Sequence, residues 1–193
     1  MRRVVTGHHH GKAVFLTDGP PTRIHRFEHT PGLQVAMAWG TEAATRVGAD
    51  GDGADRTETM GFMPEPGATR LIVYTIPPAS VRTAPGYDAA LAKAEVERVL
   101  PEMSHGREKN DPSMHTTDTV DYVIVLSGQV HLELDDGQMS VLKQYDIVVQ
   151  SGTRHAWRNK SDQPVVLAVV FTGAIRDSNS SSTCARSGAR TAQ

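Results

Sequence analysis

Residues 115–128, HTTDTVDYVIVLSG, and residues 144–159, QYDIVVQSGTRHAWRN, carry the pattern from which the fold is read. In the first block His115, Thr117, Asp121 and Gly128 stand at the spacing H-x-T-x3-D-x6-G. In the second, Gln144, Gln150, Gly152, His155 and Asn159 stand at Q-x5-Q-x-G-x2-H-x3-N. Successive side chains of an extended strand point to opposite faces, so Asp121, Val123 and Val125 share one face while Tyr122, Ile124 and Leu126 share the other. By the same rule His115 and Thr117 lie on one face, and Trp157 shares a face with His155.

Working outward, apolar and β-branched runs at 120–126, 130–134, 139–142, 147–149 and 165–171 read as short strands. Turn residues separate them: Ser127-Gly128, Asp135-Asp136-Gly137, Ser151-Gly152 and the polar run 159–162. Residues 69–76, TRLIVYTI, form a further strand that Pro77-Pro78 ends, because proline cannot donate to a ladder. Weaker strands are expected at 4–6, 12–17 and 33–39. One helix stands out over 88–100, with Asp88 as N-cap and Ala92, Val96, Val99 and Leu100 at steps of three and four. It is expected to pack on the outside of the sheet, with residues 95–98 as its solvated face. Short strands at regular spacing predict an all-β sandwich or barrel.

The two blocks resemble the paired motifs of the cupin family, H-x-H-x3-4-E-x6-G and G-x5-P-x-G-x2-H-x3-N. Every spacing fits. His115, Gly128, Gly152, His155 and Asn159 match in identity. Thr117 stands for the second histidine, Asp121 for the glutamate, Gln144 for a glycine and Gln150 for the proline, and Lys109 replaces the glycine that usually opens the first motif. The resemblance covers residues 113–173 and looks like the small single-domain cupins of biosynthetic or aromatic-degradation clusters. It implies a double-stranded β-helix, or jelly-roll barrel, with its core at 113–175. An N-terminal strand extension, residues 1–112, would pack on that barrel with the peripheral helix. The family also implies that His115, Asp121 and His155 meet at the barrel mouth, and that the chain pairs as a homodimer through sheet edges.

Two neutral imidazoles and a carboxylate are a donor set suited to Zn²⁺, Fe²⁺, Mn²⁺ or Ni²⁺, with open positions for substrate. Without a metal the same groups suit proton transfer: a carboxylate in an apolar barrel tends towards a raised pKa, and a neighbouring histidine can accept a proton. The alternative is that Asp121 and His115 only hydrogen-bond each other and brace the barrel. Because Thr117 is a poor metal ligand, the first expectation is a lyase, a dehydratase acting on an oxygenated aromatic or polyketide-like molecule. An iron-dependent dioxygenase or a non-catalytic binding barrel are the alternatives. Thr117, Gln150, Trp157 and Trp39 are the candidate substrate-contacting residues, set against a packing or structural role for each. Arg70 and Arg154 are expected at the surface, Tyr122 facing away from Asp121, and Asn159 in a turn.

The rest of the chain bounds these readings. With 193 residues and a formal charge of −2, it lacks the basic excess of a nucleic-acid binder. No apolar run approaches the ~20 residues of a membrane helix, and no apolar segment follows Arg2-Arg3, so a cytoplasmic protein is expected. The single cysteine, Cys184, forbids an intrachain disulfide. Residues 41–61, poor in apolar side chains, are expected as a flexible surface loop, and 176–193 as a disordered tail. His8-His9-His10 reads as a hairpin turn. His25, His29, His105 and His131 have no motif context.

Overall fold

The computed structural model describes residues 1–177 apart from 51, 105, 109 and 112. The expected tail from residue 178 onward, Cys184 within it, and His105 lie outside the described residues. Among the described residues eleven strands make three antiparallel sheets. β1 (Arg3–His9) and β2 (Lys12–Gly19) form a hairpin; β3 (Arg23–Arg26), β4 (Gln34–Thr41) and β5 (Thr69–Ile76) join β6 (Thr119–Ser127), β9 (Ile147–Ser151) and β11 (Val165–Gly173) in a six-stranded sheet. β7 (Gln129–Glu133), β8 (Met139–Lys143) and β10 (Ala156–Arg158) form the third. The six-stranded sheet runs β3-β4-β5-β11-β6-β9, so the N-terminal strands are part of its wall.

The period-2 pattern is obeyed where it was clearest. On β6, Thr119, Asp121, Val123 and Val125 are buried while Tyr122 and Leu126 are exposed. Val123 and Val125 meet Ile72 of β5, Val130 of β7 and Leu167 and Val169 of β11 in one apolar cluster. Burial of such a side chain contributes roughly 1.5–3 kcal/mol each. Gly128 turns β6 into β7 at φ +81°, and a Cβ there would press on the Pro164 carbonyl. β3 escaped the sequence reading because it is only four residues long and three of them are Arg or His.

Several expectations are corrected. The helix forms as α1 (Ala89–Val99), with Asp88 accepting from the amides of Ala90 and Leu91, but Glu95 is not on a solvated face. It is buried and accepts hydrogen bonds from His25 Nε2 at 3.0 Å and from the amides of Glu28 and His29 at 3.0 and 2.9 Å. Arg70 is likewise buried, donating to the carbonyls of Gly61, Thr41 and Thr69 and to Glu42. In both cases polar bonds replace the water that the charge gives up.

Residues 41–61 pack through polar pins. Asp52 accepts from the amides of Gly48 and His8 and pairs with His8 Nδ1, Asp55 binds Arg3, and Thr57 is buried. Gly53 lies so close to the hairpin that a Cβ would collide with Leu16 and the Thr6 carbonyl. Composition missed this because the segment is held by hydrogen bonds rather than by apolar area. The hairpin turn is His10-Gly11, both at positive φ, while His8 and His9 belong to β1. A second short helix, α2 (Pro101–Ser104), follows α1. Among the described residues no helix is long and apolar enough to cross a membrane.

Candidate functional site

His115 and His155 face each other across an antiparallel bridge, each amide donating to the other's carbonyl at 2.9 Å. Directly opposed residues put their side chains on one face. The two imidazole centroids are accordingly 4.2 Å apart, tilted by 54°. Each ring is oriented by a carbonyl two residues before it: His115 Nδ1 bonds the Ser113 carbonyl and His155 Nδ1 that of Thr153, both at 2.9 Å. A carbonyl only accepts, so both rings carry the proton on Nδ1 and leave Nε2 with a lone pair. Burial, and then the neighbouring His155, push His115 down to about 4; burial also lowers His155. Two touching buried imidazoles do not both become cations, so the pair stands neutral near pH 7.

Asp121 lies on the inward face of β6, 2% exposed, paired in register with Gln150 of β9 on one side and Phe171 of β11 on the other. Burial pushes its carboxyl up to about 6 against a weaker opposing hydrogen bond from Thr119. Its Oδ1 has no hydrogen-bond partner, and neither end of the Gln150 side-chain amide has one, although Gln150 is 3% exposed. Three buried polar atoms without partners, contributed by two directly opposed residues, are rare in a folded interior.

The remaining sequence candidates fall as follows. Trp157 on β10 sets its ring edge-on to His155, centroids 6.0 Å apart, while packing against the core cluster. Thr117 accepts a hydrogen bond from Thr119 at 2.8 Å. Trp39 sits under the Arg3 guanidinium, 5.8 Å from its ring centre, in a contact that ties β4 to the N-terminal hairpin. Tyr122 faces away, 48% exposed, and Asn159 bonds the Ile76 and Gln163 carbonyls in the turn after β10. Arg154 is half-exposed rather than free, bridging Glu108 and Asp135 at the rim.

Two residues were missed. Tyr74 on β5 donates to Met103 Sδ at 3.0 Å, and both burial and the nearby Asp121 raise its pKa. Alternation from Ile72 places it inward, but nothing in sequence says that β5 lies two strands from β6. Arg107 bridges His115 from the other side, its pKa lowered by burial. It carried no sequence signal.

Among the described residues, no three His, Cys, Asp or Glu side chains converge so as to hold a metal ion. The predicted three-ligand set of His115, Asp121 and His155 is therefore not assembled as a coordination sphere. Asp121 is a methylene shorter than glutamate, and Thr117, in the place of a second histidine, offers only a hydroxyl that accepts from Thr119. The histidine pair alone has the chemistry of a metal ligand pair.

Two clefts open elsewhere. One of about 300 Å³ lies between β3 and α1, lined by Thr22, His25, Phe62 and Val99 among others, without a convergent reactive set. Another of about 260 Å³ is lined by Leu134, Asp135, Gln138, Thr153 and Arg154 and so reaches the residue that orients His155. The chemistry-bearing groups, not the larger cleft, locate the candidate site.

The cupin-domain family model Cupin_2 matches residues 100–171, the stretch that contains both motifs. Phomopsin biosynthesis cluster protein C' of Diaporthe leptostromiformis is 46% identical over 55 residues, covering 28% of this chain and 29% of that protein. Oryzines biosynthesis cluster protein J of Aspergillus oryzae is 43% identical over 51 residues, 26% of this chain and 28% of that one. The cupin-domain-containing oxidoreductase virC of Hypocrea virens is 39% identical over 46 residues, 24% of each. The matched stretch thus spans less than a third of each of these relatives. The paired motifs and the family match together identify residues 100–171 as a cupin domain, which carries β6 to β10 and most of β11.

Proposed function

We propose that the barrel is a small-molecule lyase, a dehydratase that moves two protons between the histidine pair, Asp121 and an oxygenated substrate of a biosynthetic route. The observation that carries this reading is the His115–His155 pair, with both Nδ1 atoms tied to carbonyls and both Nε2 lone pairs left for a reacting proton. A buried carboxyl whose pKa is pushed up to about 6 keeps its proton to higher pH than a free carboxyl and supplies the complementary donor. The relatives named for biosynthesis clusters support a metabolite as the substrate.

For a β-hydroxy carbonyl substrate the steps balance. An imidazole Nε2 takes the α-proton, and the C–H electron pair becomes the new C=C bond. The C–O bond breaks as Asp121 delivers its proton to the departing oxygen, which leaves as water. Return of the proton from imidazolium to carboxylate restores the site. Trp157, edge-on to His155 and packed on the core, stands on the histidine side.

The test uses 4-hydroxy-4-phenylbutan-2-one, whose dehydration to the conjugated enone is followed by absorbance. Turnover above the buffer rate is expected, falling about 100-fold or more in His155→Gln and in Asp121→Asn. A wild-type rate equal to buffer, or variants as active as the parent, would falsify the proposal. An iron-dependent oxidoreductase is the second reading. It is favoured by the two adjacent imidazoles and by the name of the Hypocrea virens relative, and oxygen uptake by Fe²⁺-loaded protein distinguishes it.

A further inference from the structure

Gln150 occupies a position where the family motif carries proline, and its side chain is neither a turn former nor a surface group. It lies on the inward face of β9, beside Val148, which packs on the core, and directly across from Asp121. At 3% exposure it has lost its water, yet neither Oε1 nor Nε2 meets a protein partner. Both ends are orphaned, so exchanging the oxygen and nitrogen assignments changes nothing. Leaving a donor and an acceptor buried and unpaired is a free-energy cost that a bound ligand removes. The neighbouring Asp121 Oδ1 is a third orphaned atom on the same face.

We propose that Gln150 is a specificity-determining residue that reads, through paired hydrogen bonds, a substrate edge bearing a donor and an acceptor on one carbon. Such an edge is presented by a primary carboxamide or an undissociated carboxylic acid. The amide of Gln150 is planar, with its acceptor and donor side by side, and two parallel hydrogen bonds need the same arrangement in reverse on the ligand. Asp121 then faces the atoms next to that edge, where the proton of the proposed dehydration is delivered. The inference rests on that proton-transfer reading for the identity of the ligand as a substrate. It adds to it the group by which the substrate is recognised. A ligand that offers only an acceptor leaves the Gln150 carbonyl and the Asp121 oxygen without partners and is discriminated against for that reason.

Benzamide and N,N-dimethylbenzamide, which differ in the amide hydrogens, are titrated against the full-length wild type by ligand-observed NMR. Benzamide is expected to bind about tenfold more tightly, and in Gln150→Met the preference disappears. The ligand-free Gln150→Met protein is expected to melt about 3 °C higher than the wild type, because an unsatisfied buried amide has been replaced by an apolar chain of similar length. A lower melting temperature would assign Gln150 a structural partner and overturn the proposal. Equal binding of the two amides, or no saturable benzamide binding at millimolar concentration, overturns it without reliance on any variant. A wild type that dehydrates the hydroxyketone but does not distinguish the amides keeps the proton-transfer reading and loses this one. The converse result keeps the recognition edge and loses the chemistry.

Discussion

Replacing Asp121 with asparagine separates what this carboxyl costs the fold from what it does for chemistry. It is 2% exposed, with one oxygen unpartnered and only a threonine hydroxyl to offset burial. In the folded chain its pKa is raised from 3.8 to about 6. A carboxyl raised in this way binds its proton more tightly folded than unfolded. Its contribution to stability is complete below the unfolded value and is lost as pH climbs through the folded one. The difference corresponds to about 3 kcal/mol of stability lost by the wild type between acid and neutral pH, a loss the asparagine variant does not share. Urea unfolding of both proteins at about pH 4 and about pH 8 measures it, since ionisations common to the two cancel in the difference. The stability of Asp121→Asn relative to wild type should grow by about 2–3 kcal/mol over that range. A difference that stays flat, or that shrinks as pH rises, means that Asp121 is paired in the folded state, and the acid role assigned to it fails.

The dehydration rate of the hydroxyketone probe, read as kcat/KM, should fall as pH rises through about 6, because Asp121 must hold its proton; a rate that rises there would make the carboxylate the base. Glu95→Ala removes three hydrogen bonds that hold α1 to β3 and the chain beyond it, and should cost about 3 kcal/mol in denaturant unfolding. Burial raises the Glu95 pKa, but the His29 and Glu28 amides and His25 outweigh it and hold the carboxyl low, so its stabilisation is present above 4.5 and fades as pH falls below that value. Elemental mass spectrometry of the protein purified without chelator, followed by activity after chelator treatment, tests the metal expectation for Zn, Fe, Mn and Ni; activity that survives stoichiometric metal removal leaves the acid–base reading standing alone. The outward face of β6 and β9 exposes Tyr122, Ile147 and Val149, which a homodimer would cover. Sedimentation velocity should then show a dimer that Ile147→Lys weakens, and a monomeric wild type would end that expectation.

The barrel was legible in the chain because its signals are local. Alternation on β6 follows from the pleat of a strand, and the boundaries of β5 were read correctly because Pro77-Pro78 stops a ladder wherever it occurs. The pairing of His115 with His155 was implied by the spacing of the two motifs, since both histidines occupy positions that family members bring together. What failed to show were features whose cause lies far along the chain. Glu95 reads as a solvated helix residue until β3 and the amides of Glu28 and His29 are brought over it, and Arg70 reads as a surface cation until the carbonyls of Thr41 and Gly61 close around it. The segment 41–61 lacks apolar side chains, and only the folded chain supplies the His8 and Arg3 partners that hold it.

Most strands, their turns and the residues able to carry a proton are local properties of the chain, because periodicity and turn chemistry act within a few residues. Tertiary structure alone decided which of those residues lost their water and which found a new partner. Whether a buried polar group is satisfied depends on what the opposite strand presents, and that separates Glu95, fully bonded and structural, from Asp121 and Gln150, buried on the same inward face with polar atoms still open.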